Sequence, residues 1–157
     1  MSAALLTATL MSLGGLGAAI YFGQTAASGA MISRHITFGL FGTLLTLLSH
    51  SMTMFYLIGK GRAVREAAAE GGLSSGFEAR IAALRKPVFS IGTLAIVVTM
   101  ITAIVGASVD TGVLPASIHG VLAYSCFAAN LGALRAEVAA LTASARIVSE
   151  VDHLLNG

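Results

Sequence analysis

Apolar residues dominate four stretches of this chain, and in two of them the exceptions recur in steps of four and three. From His35 the count runs His35, Gly39, Gly42, Thr46, Ser49 and Thr53, through residues otherwise drawn mainly from Leu, Phe, Ile and Met. From His119 it runs His119, Ala123, Cys126, Asn130, Ala133 and Glu137. Such steps keep residues on one helical face, so each stretch reads as a helix with a small and polar stripe headed by a histidine. The four stretches cover residues 3–22, 31–58, 88–109 and 116–134. A bilayer needs about 20 residues of helix, and in hydrocarbon a polar stripe must turn inward. The pattern predicts an all-α integral membrane protein, a single domain over 1–157 with four transmembrane helices. The connections at 23–30 and 110–115 are short, which favours an up-down-up-down bundle.

Helical patterning continues beyond the spans. The second runs on through Gly61 to Glu70, with Arg62 and Glu66 spaced i,i+4. Gly71-Gly72 breaks it, and Ser74 or Ser75 is expected to cap a short helix with Phe77, Ile81 and Leu84 on one face. Pro87 then starts the third span. After the fourth, Leu134, Val138, Leu141, Ala145, Val148 and Val151 continue a stripe. The loop 60–87 and the tail 135–156 are therefore expected as cytoplasmic amphipathic helices, packed on one another or on a partner subunit.

Composition agrees with the pattern. The chain is 56% hydrophobic and 10% charged, where a soluble domain carries roughly 25% charge. Eight of the nine Lys and Arg residues lie on one side: Lys60, Arg62, Arg65, Arg80, Arg85, Lys86, Arg135 and Arg146, against Arg34 alone. The positive-inside rule places both termini and the central loop in the cytoplasm, in a multi-pass plasma (inner) membrane protein. No basic residue precedes the first span and its apolar run exceeds the ~7–15 residues of a signal peptide, so it is expected to remain as a helix. The net charge of +2 sits where topology requires it, and nucleic acid is not expected as a partner. The single Cys126 excludes a disulfide framework and a paired-thiol metal motif. Gly59-Lys60-Gly61-Arg62 lacks the spacing of a phosphate loop, and there is neither a nucleophile elbow nor H-E-x-x-H. Whether the chain is an enzyme is left open.

The interior carries the candidate chemistry. The second and fourth spans run parallel, and His35 and His119 sit at similar depth near the outer surface. With neighbouring axes 8–10 Å apart the bundle diagonal is roughly 12–14 Å, a gap that two inward imidazoles bridge around one iron. Gly39, Gly42 and Ala123 just below leave clearance for a flat macrocycle, and Arg34 is placed to pair with propionates. This predicts haem b between His35 and His119, in a small cytochrome or cytochrome-like anchor subunit exchanging electrons with a quinone pool or partner. The same small residues, as in Gly14-xxx-Ala18, Gly15-xxx-Ala19 and Ala103-xxx-Ala107, also let helices approach closely. The alternative is a non-catalytic membrane subunit that forms a homo-oligomer or docks a partner. His50 lies about 22 Å deeper than His35, at the level of Asn130 and Glu137. A structural hydrogen bond from His50 to Asn130 or Glu137 is the first expectation; the same three form a polar relay in the third reading, a proton or ion pathway. His50-x-Met52-x-Met54 loosely resembles a copper(I) site, but Met52 points about 160° away from Met54 on a helix, so copper is not expected. Glu137 is expected at the inner boundary, snorkelling or pairing with Arg135 or Lys60.

The size and span count are similar to those of the eicosanoid- and glutathione-metabolising membrane enzymes, whose Arg-x-x-x-Asn-x-x-Glu motif is not reproduced. Histidines at helix ends are similar to those of the b-type cytochrome anchors of respiratory enzymes. This is an analogy of architecture and carries no residues across.

Overall fold

The computed structural model describes residues 1–73 and 76–156. It consists of four helices, with no strand among the described residues: α1 (Ser2–Gln24), α2 (Gly29–Glu70), α3 (Gly76–Asp110) and α4 (Ala116–Asn156). All four are long and apolar enough to cross a membrane. The expected cap at Ser74 or Ser75 lies outside the described residues.

Side-chain contacts give the helix directions. Ala19 meets His35 and Leu16 meets Gly42, so α1 and α2 run antiparallel. Gly106 meets His119 and Thr99 meets Asn130, so α3 and α4 do too. Met54 lies over Gly92 and Gly61 beside Ile81, which makes α2 and α3 antiparallel. The two hairpins α1–α2 and α3–α4 pack more extensively within themselves than against each other. One end of the bundle holds the tight turns after α1 and α3 and is called the short-loop end. At the opposite, charged end α2, α3 and α4 continue as a three-helix extension.

All four buried faces follow the same count. On α1 it passes through Leu5, Thr9, Ser12, Leu16 and Ala19, and on α3 through Val88, Gly92, Ala95, Thr99 and Thr102. On α4 it runs unbroken from Cys126 through Asn130, Ala133, Glu137, Ala140, Ser144 and Ile147 to Val151. A repeat averaging 3.5 residues keeps a seam facing its neighbours only when helices cross at about 20°. What it buries inverts a soluble bundle. Thr9, Ser12, Thr46, Ser49, His50, Thr53, Asn130 and Glu137 are inside, while Leu44, Phe55, Ile104 and Val121 are all at least 64% exposed. Such a surface is stable only against an apolar solvent.

The charged end reverts to an aqueous pattern. Val64, Ala68, Phe77, Ile81, Ile147 and Val151 form a compact core there. Arg62–Glu66, Arg65–Glu78 and Arg80–Glu150 ion pairs surround it. A second apolar layer of Leu57, Val88, Ala140 and Leu141 separates that core from the polar interior.

Two expectations are corrected. The loop helix and third span are one helix, with Pro87 inside it. Proline removes one backbone hydrogen bond, to the carbonyl four residues earlier; beside Lys86, at the edge of the apolar stretch, water can satisfy that carbonyl. The tail buries the expected face only in part, with Leu141 and Val151 inside. Val138 and Ala145 are exposed, while Ala140, Ser144 and Ile147 are buried. Because α4 never breaks, the phase begun in the membrane continues to its end, and a choice of apolar residues alone passes over Ser144. Turns are set by two glycines with positive φ, Gly72 (65°) and Gly112 (74°), a conformation L side chains rarely adopt.

Candidate functional site

Two histidine centres occupy the bundle, one near each end of its apolar length. At the short-loop end, His35 from α2 and His119 from α4 meet edge to face, with ring centroids 5.7 Å apart and planes at 83°. His35 Nδ1 lies 2.8 Å from the Ala19 carbonyl oxygen. A carbonyl only accepts, so Nδ1 carries the hydrogen and the lone pair resides on Nε2. His119 Nδ1 is buried without a hydrogen-bond partner. Each ring is backed by a glycine of the neighbouring helix. A β-carbon on Gly23 would stand 2.9 Å from His35, and one on Gly106 would stand 2.9 Å from His119. The hairpin partner of each histidine is thus cut away to seat its ring.

The small residues below do different work from that expected. A β-carbon on Gly42 would lie 2.9 Å from the Leu16 backbone nitrogen, and one on Gly15 would lie 3.2 Å from Gly42 Cα. Gly39 faces Ala19 in the same seam. Gly42 therefore allows α1 and α2 to touch, whereas a β-carbon on Gly39 would fit against Ala19 at 3.9 Å, and Ala123 is half-buried on α4. Arg34 lies over the Phe22 ring at 5.7 Å, exposed at the short-loop end.

The deeper centre draws on all four helices. His50 on α2 is 0% exposed and Glu137 on α4 is 1% exposed. His50 Nδ1 and Glu137 Oε1 are 2.7 Å apart, and His50 Nε2 is 3.0 Å from Asn130 Oδ1. Thr9 of α1 reaches Glu137 Oε2 at 3.0 Å. Asn130 Nδ2 donates to Thr99 Oγ1 of α3 at 3.0 Å and to the Cys126 carbonyl at 2.9 Å. Thr99 donates to the Ala95 carbonyl at 2.6 Å, so it accepts from Asn130 and from the Cys126 thiol 3.1 Å away. Every polar atom of this cluster has a partner, the condition under which buried polar groups specify a structure.

The structure brings His50, Asn130 and Glu137 into one hydrogen-bonded set. Glu137 does not pair with Arg135 or Lys60, because at its depth the nearest partners are uncharged donors and His50; Lys60 instead lies over the Tyr56 ring. Sequence reasoning missed Thr9 and Thr99. Their signal was present, since Thr9–Ser12 and Thr99–Thr102 are polar pairs three residues apart inside apolar spans. Met52 is exposed, while Met54 turns inward over Gly92. Among the described residues no group of three or more His, Cys, Asp or Glu is arranged to hold a metal ion. Compared with known proteins, the chain matches no family model, no curated protein and no solved structure.

Proposed function

We propose that this chain is a small membrane-embedded b-type cytochrome or cytochrome-like anchor subunit, with haem b held between His35 and His119. The apposition of those two rings carries the reading. An imidazole nitrogen binds a first-row metal at about 2.0–2.1 Å, so two rings on opposite sides of one ion have centroids about 6 Å apart. The observed 5.7 Å is of that size, and the edge-to-face contact would have to open by ring rotation for both nitrogens to face one ion. The donor set fits as well. A metal-bound histidine donates its other ring hydrogen to a carbonyl or carboxylate, and His35 Nδ1 already does so to Ala19. On the other side, His119 presents a ring with a buried, unpartnered nitrogen.

His35 and His119 would be the axial ligands, and the group would supply one-electron transfer. With Gly42 taken up by the α1–α2 seam, a macrocycle would have to sit between the two hairpins, beside Ala123. Arg34 at the same end is the cation for propionates. The bundle lies in the plasma membrane with its charged end and both termini in the cytoplasm, by the positive-inside rule. Electron partners are a quinone or a neighbouring subunit. Purification from haem-replete cells tests the reading. A low-spin haem spectrum lost in His35→Ala and in His119→Ala supports it, and a colourless wild-type protein refutes it.

One observation favours a second reading, the non-catalytic subunit. Between α2 and α4 at the charged end lies an open groove of about 510 Å³, lined by apolar residues with Lys60 and Asp152 at its edges. A partner helix seated there would make the chain a docking subunit. The colourless outcome would direct attention to that groove.

A further inference from the structure

The proton count of the deeper centre follows from its fixed members. The Cys126 carbonyl only accepts, so the group 2.9 Å from it is the Asn130 NH2, which turns Oδ1 towards His50. His50 Nε2, 3.0 Å from that oxygen, therefore carries a hydrogen. The 2.7 Å bond between His50 Nδ1 and Glu137 Oε1 holds one more proton, on whichever atom it rests. Both placements leave the pair with no net charge, the favoured condition in hydrocarbon.

A second proton has a prepared seat. Glu137 Oε2 lies 3.0 Å from Thr9 Oγ1, and Thr9 Oγ1 lies 3.2 Å from the Leu5 carbonyl. With Oε2 bare, Thr9 gives it its hydrogen. With Oε2 protonated, the carboxyl donates to Thr9, whose own hydrogen turns to Leu5. Neither state strands a donor. The groups hydrogen-bonded around the pair are Thr9 from α1, Asn130 from α4 and, through it, Thr99 from α3 and Cys126 from α4; of these only Cys126 titrates.

The surroundings differ on the two sides. Towards the charged end Thr53, whose hydroxyl donates to the Ser49 carbonyl of its own helix, is followed by Leu57, Val88, Ala140 and Leu141, all buried and apolar. Towards the short-loop end stand Ser12, Ser49 and Thr46, buried hydroxyl groups in the same interior. Thr46 Oγ1, one turn above His50, has no protein partner, and neither does His119 Nδ1 further out. Buried polar atoms without protein partners are the places where water enters an interior. Among the described residues both such atoms lie on the short-loop side of the pair.

The geometry points to His50–Glu137 as a proton-binding site, filled from the short-loop side and sealed at the charged end by the Leu57–Val88–Leu141 layer. It alternates between a neutral pair holding one shared proton and a cationic pair holding two, the second on Glu137 Oε2. Neither His35 nor His119 holds the shared proton, so the proton-binding pair stands without the haem, while the inlet passes His119 Nδ1 at the short-loop end.

The test is proton flux into phosphatidylcholine vesicles containing the full chain, driven by a potassium diffusion potential and read by a trapped pH dye. The sealed wild type should pass protons no faster than protein-free vesicles. Leu57→Ser opens the seal and should give a flux, and adding Glu137→Gln should abolish it. Val88→Thr cuts the same layer at nearly constant volume and serves where Leu57→Ser fails to fold, as judged by circular dichroism and gel filtration. A flux that survives Glu137→Gln overturns the proposal, because protons then bypass the pair. A folded seal variant with no flux overturns it too, because no inlet then reaches the site.

Discussion

At Glu137, losing a charge and losing a partner are separable events. Glu137→Ala leaves His50 Nδ1 and Thr9 without their buried partner, and breaking a buried pair in this way costs about 3–5 kcal/mol. Glu137→Gln retains an amide hydrogen that neutral His50 accepts at Nδ1 while its Nε2–H still serves Asn130. Unfolding of the two variants in mixed detergent should therefore show a large loss for Ala and a small one for Gln. Equal losses would mean that the carboxylate charge itself holds the helices together. The short-loop histidines answer to a different readout. His35→Ala and His119→Ala should each remove visible absorbance, whereas a His50 substitution, about ten residues or more of helix away, should leave it in place. His35 and His119 were recognisable in the sequence because both head a polar stripe. Thr9 and Thr99 were harder to find, since a threonine in an apolar span commonly bonds its own helix backbone; these two do so and also reach across to a neighbour.

Helix elements owe their packing to glycine at one seam and to apolar side chains at the other end. Gly42→Ala forces a β-carbon towards the Leu16 backbone, which cannot swing aside like a side-chain tip. The cost expected for such overpacking is about 1–3 kcal/mol, and unfolding of this variant against wild type measures it. Substitution at Gly14, which faces open space, should be nearly neutral by comparison. At the charged end, the hydrogen bonds from Arg80 hold the Glu150 carboxyl below the usual carboxylate range. A depressed carboxylate contributes stability that is present above the unfolded value and lost as pH falls through the folded one. The extension should thus loosen slightly on acidification through the carboxylate range, by less in Arg80→Gln, which hydrogen exchange of α3 and the α4 tail would detect. The periodicity of α2 and α4 exposed these elements from sequence. It failed at Pro87, where a proline signal suggested a helix start that the continuous seam overrides, and in the tail, where the buried face includes Ser144.

As a whole molecule, the chain joins a four-helix apolar section with a polar interior to a three-helix section with an apolar core. The boundary is the Leu57–Val88–Leu141 layer. Polar residues can fill the interior of the apolar section because its exposed apolar surface suits a lipid solvent, in which hydrogen bonding replaces hydrophobic burial as the source of specificity. That inversion was legible from composition and spacing. How the stripes dock was not, because a 3.5-residue repeat fixes the face of each helix but not which partners meet across it. A reduced-minus-oxidised visible spectrum of the detergent-purified chain from haem-replete cells reads out whether the His35–His119 centre holds the proposed haem. A haem held there gives a sharp low-spin signal corresponding to about one haem per chain, as a single pair of axial histidines implies. A flat spectrum from folded protein would contradict it.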